Sequence, residues 1–452
     1  MGAGGSGGRR AVVREGFQTR LWPLPVIGLV VAVLLGVAVP LLDEALDDRM
    51  PTVLRTVLFS GGPDAARTVL SAVAGSLITV TSLTFSLTVV TLQLASSQFS
   101  PRLLRTFSRD RFVHAVLAVF LGTFAYTLVV MRTIRNDGDA GGLFVPELGV
   151  TLTVLATLAA VVCIVLFLAH LSSQIRVEMI LERVRKETET TIDRSLDRRG
   201  SAPDSPPAPP RPPHDAALLI APRTGVLASA DEDALLQAAA DASAVVLVEA
   251  QPGDSVVAGT PVGRCWASRG DPPTGEALDR LRTRVLAALQ IGPERTAAQD
   301  VAFGLRQLAD VADKALSPGI NDPTTAVHAL GHLSGALCHA LRHELGPRLL
   351  RDEHDAVRVV LRRPGFHDLL DDAIAQPRRF GADSPDVLGR IARLLQEVAW
   401  CVPDADAAAS VRQQVVRTRQ TVRDAGLPAT EDAELERELA RVEQVLEGRW
   451  PA

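Results

Sequence analysis

Lysine is almost missing from this chain. Lys186 and Lys314 are the only two in 452 residues, so nearly all positive charge is arginine, a pattern that reads as a GC-rich bacterial coding bias. The formal net charge of −5 offers no electrostatic footprint for nucleic acid. Cysteine is scarce as well. Cys163, Cys265, Cys338 and Cys401 lie far apart with no C-x-x-C pair, which excludes a disulfide framework and a zinc knuckle. No Walker loop, G-x-S-x-G elbow or Rossmann fingerprint occurs, so neither an enzyme nor a bound cofactor is expected. A cleavable signal is not expected either: residues 1–8 are glycine-rich, and the next apolar run is long, flanked by arginines and followed by no small-residue cleavage site.

What is abundant is apolar sequence, 47% of the chain and concentrated in residues 1–172. Four stretches reach the length of about 18 residues needed to cross a bilayer: 21–42, 70–98, 112–131 and 148–171. Pro25 suits the start of the first, and Pro40 is expected to end it. Arginines gather before the first span, between the second and third, and after the fourth, whereas the other two connections are acidic or mixed. The positive-inside bias then places both termini in the cytoplasm of a bacterial inner-membrane protein.

The second span, LSAVAGSLITVTSLTFSLTVVTLQLASSQ, carries no charge but many hydroxyls. Ser76, Thr79, Ser82, Ser86, Gln93 and Ser97 fall on one side at roughly 100° per residue, and Thr81, Thr84, Thr88 and Thr91 form a second, narrower stripe. Such hydroxyls either bond backbone and neighbouring helices or line a water path in an oligomer. Behind Pro101 follow Arg102, Arg105, Arg109 and Arg111. They serve as inside anchors, and if the striped helix lines a pore they would ring its cytoplasmic mouth and favour anions.

Beyond the bilayer the expected order is a charged helix (173–199), a proline-rich linker (200–214), a β-rich module (215–270) and a helical domain (271–452), with residues 1–20 a flexible start. Within the module, strands are expected at 217–221, 243–250 and 255–266, with a helix at 231–242. The run QPGDSVVAGTPVGRC resembles half of a biotinyl or lipoyl barrel. No lysine lies between Lys186 and Lys314, so a swinging-arm role is excluded. From Glu276 onward only helices are expected. The SPGINDPTTA break holds Gly319, Asn321, Asp322 and Pro323 as a capped turn, with Asp322 as N-cap; a helix N-terminus open to anions is the other reading. His328, His332, His339 and His343 share one helical face and could hold a metal, although the sequence supplies no third ligand and no H-E-x-x-H pattern.

Four runs together carry a family likeness: SLITVTSLTFSLTVVTLQLASSQFSPRLLRTFSRDR, the four-span N-terminal half, PGDSVVAGTP and ALSPGINDPTTA. The chain resembles the bacterial predicted-membrane-protein family of unknown function, domain-of-unknown-function family twenty-two fifty-four. The resemblance implies an inner-membrane location and this domain order, and supplies no activity. The expected fold is an α-helical polytopic membrane domain of four spans, followed by a cytoplasmic α+β region made of a small barrel-sandwich-like module and a helical bundle. The expected function is a homo-oligomeric channel or transport-like protein in contact with the lipid bilayer and small ions. The alternative is a membrane-anchored scaffold or sensor whose cytoplasmic domain binds a partner or metal.

Overall fold

The structure, a computed structural model, describes residues 22–46, 58–98, 110–136, 143–174, 176–200, 209–268 and 274–450. The chain divides into two compact units, one of Glu15–Arg176 and the other chiefly Val177–Ala452.

Among its described residues the first unit holds four helices long and apolar enough to cross a membrane: α1 (Pro23–Leu46), α2 (Pro63–Gln98), α3 (Arg111–Arg132) and α4 (Glu147–Gln174). Helix α1 runs through Pro40 rather than stopping there. Proline removes one backbone hydrogen bond, a loss that neighbouring helices make tolerable in an apolar segment. Helix α2 begins seven residues earlier than the apolar run suggests, with Pro63 in its first turn and Asp64 beside it. Helix α3 is the most buried of the four. It packs against α1 along small residues: a Cβ added at Gly28 would lie 3.0 Å from Ala118 Cβ, and one at Gly36 would lie 2.9 Å from Val129 Cβ. Small residues let two membrane helices approach until their backbones touch. At one end of the unit, the buried Asp43 carboxylate accepts from Leu148 N (2.9 Å), capping α4. At the other, Asp110 caps α3 through Phe112 N (2.9 Å) and meets His170 Nε2 of α4 at 2.5 Å.

The second unit opens with α5 (Val177–Ser195), whose Ile180, Leu181, Val184 and Ile192 are buried. Among the described residues, eight strands and eight further helices follow. The first are β1 (Ala217–Ile220), β2 (Gly225–Ala230), α6 (Glu232–Asp241), β3 (Ala244–Val248), β4 (Ser255–Val256) and β5 (Pro261–Ala267). Next come α7 (Gly275–Ala288), β6 (Leu289–Gly292), α8 (Val301–Ala315), α9 (Pro323–Ala340), β7 (Arg348–Arg351) and β8 (Val357–Leu361). The chain then runs through α10 (Phe366–Phe380), α11 (Pro385–Cys401), α12 (Ala405–Ala425) and α13 (Ala429–Leu446).

Two expectations are corrected here. The strands form a five-stranded sheet in the order β1-β5-β3-β8-β7 and a three-stranded sheet β4-β2-β6, and among the described residues they close no barrel. The region after Glu276 is not purely helical, because β6, β7 and β8 complete both sheets. The cause is one pairing. Strand β3 lies parallel to β8, so the β-branched run VRVVL joins the sheet instead of leaving the upstream module to close on itself. The shared core includes Leu219, Leu227, Leu235, Val246, Val285 and Val359.

The PGD turn is the joint between sheet and helices. Gly253 has φ +99°, and a Cβ there would lie 2.2 Å from Asp300 Oδ2. Only glycine meets both conditions. Asp300 in turn caps α8 by accepting from Phe303 N (3.0 Å) and pairs with Arg295. Burial pushes the Asp300 carboxyl above its ordinary value, and Arg295 offsets only part of that rise.

Candidate functional site

Helix α2 presents its two polar stripes to opposite surroundings. Thr81, Thr84 and Thr91 are buried within the helical unit. Ser76, Thr79, Ser82, Ser86 and Gln93 are exposed and point away from it. The side chain of Ser97 lies outside the described residues. The outward stripe is flanked by exposed apolar residues, Ile78, Phe85 and Val89 on one side and Leu83, Val90 and Leu94 on the other. Several hydroxyls give their proton to their own helix: Ser76 to Val73 O (2.9 Å), Thr79 to Gly75 O (3.0 Å) and Ser82 to Ile78 O (2.9 Å). The buried stripe does the same, as in Thr81 to Leu77 O at 2.6 Å. This back-bonding leaves oxygen lone pairs, not donors, facing outward. Of the arginines that follow, Arg102, Arg105 and Arg109 lie outside the described residues, and Arg111 begins α3.

The SPGINDPTT break is a closed turn between α8 and α9. Asn321 N donates to Ser317 O (2.9 Å) and Asp322 N to Ala315 O (2.8 Å). Asn321 adopts φ +49°, a left-handed conformation asparagine tolerates. Asp322 accepts from Thr325 N (3.1 Å) and Thr325 Oγ1 (2.6 Å), which together hold its carboxyl below the ordinary range. Pro323 follows as the first residue of α9, and Gly319 has open space around its Cα. The Asp322 carboxylate already occupies the helix N-terminus where an anion would have to sit.

The four histidines do not form one site. Helices α5 and α9 lie parallel, and the acidic positions of α5 answer the histidines in order. His328 Nδ1 is 4.0 Å from Glu178, and His332 Nδ1 is 3.8 Å from Glu182. His339 Nε2 and His343 Nε2 lie 3.0 and 3.1 Å from the same Asp193 Oδ1. Between these pairs, Arg185 of α5 bridges Glu182 (2.9 Å) and Glu189 (2.5 Å). Lys186 and Arg185 hold the Glu182 carboxyl down at about 2. Burial lowers His332 below its ordinary value, with Glu182 opposing. His328 is exposed and His343 is 1% exposed, so the row is a gradient from solvent into the fold. His343 stands beyond the end of α9, where the backbone has left the helix. The third ligand-type residue absent from the sequence reading is Asp193. A signal for it exists: Glu178, Glu182, Glu189 and Asp193 step by 4, 7 and 4, the same steps as the histidines.

The family described as "Predicted membrane protein (DUF2254)" matches residues 18–397. The chain is 35% identical over 413 residues to "Uncharacterized protein Rv1290c" of Mycobacterium tuberculosis, a match covering 90% of this chain and 77% of the relative. "Uncharacterized protein Mb1321c" of Mycobacterium bovis matches with the same identity and coverage. No solved structure matches. With a family match across most of its length and relatives aligned over nine-tenths of it, the chain belongs to the DUF2254 family of predicted membrane proteins.

Proposed function

We propose that this protein is a homo-oligomeric, channel-like protein of the bacterial inner membrane, with α2 of each subunit turned toward a common axis. The supporting observation is the outward stripe of α2. Ser76, Thr79, Ser82, Ser86 and Gln93 face away from their own helical unit, between apolar flanks suited to other subunits. Back-bonding lowers the cost of leaving hydroxyls in lipid, but Gln93 carries two donors and an acceptor that lipid cannot satisfy. A second copy or water can. In a cyclic assembly each stripe residue repeats around the axis, which four spans of one chain do not achieve alone. In this reading both termini are cytoplasmic, the arginines after Pro101 lie at the inner mouth, and the chain has no catalytic role.

A second reading, a membrane-anchored sensor, draws on the imidazole–carboxylate row between α5 and α9. The test that separates them is conductance of purified protein in planar bilayers. Under the channel reading, wild type conducts, and Gln replacing Arg102 and Arg105 lowers anion over cation permeability, more so at low salt. Absence of conductance at every voltage and lateral tension removes the channel reading. Conductance with selectivity indifferent to these arginines moves the path elsewhere.

A further inference from the structure

The end of the histidine row differs chemically from its beginning. His328 and His332 each face one glutamate at 3.8–4.0 Å, beyond hydrogen-bond reach. His339 and His343 instead converge on one oxygen, Asp193 Oδ1, and the three ligand atoms all lie within 4.8 Å of one another. We propose that Asp193, His339 and His343 form a binding site for a first-row divalent transition metal such as zinc, joining the C-terminal end of α5 to that of α9. The inference goes beyond the membrane reading and stands or falls without it.

The tautomer of His343 carries the argument. Its Nδ1 lies 3.2 Å from the His339 carbonyl oxygen. A carbonyl only accepts, so Nδ1 holds the proton. In the neutral ring, Nε2 then bears a lone pair, and it lies 3.1 Å from a carboxylate oxygen that also has only lone pairs. Nε2 is buried and makes no hydrogen bond. In that tautomer two acceptors lie 3.1 Å apart, and a cation shared by them satisfies both. The Nδ1–H to carbonyl contact is also the outer-shell bond that fixes the tautomer and ring orientation of metal-bound histidines.

Distances agree with a shared ion. Zinc binds imidazole nitrogen at about 2.0–2.1 Å and carboxylate oxygen at about 2.0–2.2 Å, so donors 3.0–3.1 Å apart subtend roughly 95° at the metal. The two rings are 5.3 Å apart and tilted by 40°, so they converge rather than stack. Two imidazoles and a carboxylate form a ligand set that suits zinc and its first-row neighbours. Asp193 and His339 remain partly open to solvent, which leaves room for water in the remaining coordination positions.

The frame around the site is held by backbone. Beyond α5 and α9 the two chain segments run together: Arg199 N donates to Arg342 O (3.0 Å), Glu344 N donates to Asp197 O (2.9 Å), and Arg198 bridges to His343. Ligands set on such a frame lose little freedom when an ion binds. The charge of Arg198 acts on the same carboxylate and opposes an added cation. Because α5 is the first helix after the last apolar span, the ion would fasten that segment to the helical core of its own unit.

Zinc titration of the chelator-stripped, full-length protein in detergent, followed by calorimetry, tests the assignment. One ion per chain is expected. Asp193→Asn and His339→Gln, both at partly open positions, should each weaken binding at least about tenfold. His343→Gln should do the same, but its burial makes a folding defect possible, so the two open-site variants decide. The double change His328→Gln with His332→Gln should leave affinity within about twofold. Wild type that takes up no zinc below about 100 μM overturns the site. Asp193→Asn and His339→Gln variants that bind as wild type also overturn it. A comparable loss in the His328/His332 variant would replace the three-residue site by a diffuse histidine face.

Discussion

Asp313 lies in α8 with both carboxylate oxygens buried and without a hydrogen-bond partner. Burial pushes its carboxyl up to about 7; Arg306 pulls down and Asp310 pushes further up. A carboxyl whose folded value exceeds its unfolded value binds protons more tightly when folded. Its contribution is therefore fully present below pH 4 and is lost as pH rises through 7. Asp313→Asn should leave stability near wild type at pH 4 and raise it at pH 8, by an amount on the order of 1–3 kcal/mol. Thermal unfolding of both proteins from pH 4 to pH 8 measures this, and parallel curves would show that Asp313 does not titrate as its burial demands. Little of this was legible in the sequence. The pattern D-V-A-D-K marks Asp310 and Lys314 as an i,i+4 pair, and the structure pairs Asp310 with Arg306 (3.1 Å), one turn earlier. Burial of Asp313 depends on which helices close over α8, and one chain's periodicity does not carry that.

Among the elements, the α1–α3 seam gives a direct packing test. A Cβ at Gly28 would also lie 3.1 Å from the Ala118 carbonyl oxygen, and one at Gly122 would lie 3.3 Å from the Gly28 carbonyl oxygen. Valine at Gly28 or Gly36 must push the helices apart, at a cost of about 1–3 kcal/mol. A lower thermal midpoint in detergent is expected for both. Gly75→Ala on α2, where an added Cβ meets nothing within 4 Å, should be neutral or slightly stabilising. Equal midpoints for all three would mean the seam is looser than its distances. The four apolar helices were legible because each is a long uninterrupted run, and Asp322 with Pro323 announced the start of α9 by cap chemistry alone. Strands β6 to β8 were not. They are four or five residues long, and the parallel partner of β8, strand β3, lies more than a hundred positions upstream. The histidine row was visible and so was the acidic row of α5, but nothing local says that segments 150 positions apart lie side by side.

For the whole molecule, the arginine bias sets an orientation that reporter fusions can read. A fusion in the connection between Asn136 and Leu143 should report the outside, and one after Ala452 the cytoplasm. The opposite result at either place would discard the four-span arrangement. The deeper question is what the outward stripe of α2 meets, because lipid, another helix and water make different demands on the same hydroxyls. Its apolar flanks are continuous along the helix, so a subunit contact can form on either side while the stripe stays wet.

Whether this stripe faces water in an assembly can be read by thiol labelling in native membranes. Cysteine is placed singly at Ser82, Ser86 or Phe85 in protein lacking its four native cysteines, and a small membrane-impermeant reagent is applied from each side. Rapid labelling is expected at positions 82 and 86, and protection at position 85. Equal protection at all three would contradict that expectation, and would make the stripe a lipid-facing or packed surface whose hydroxyls serve only their own helix.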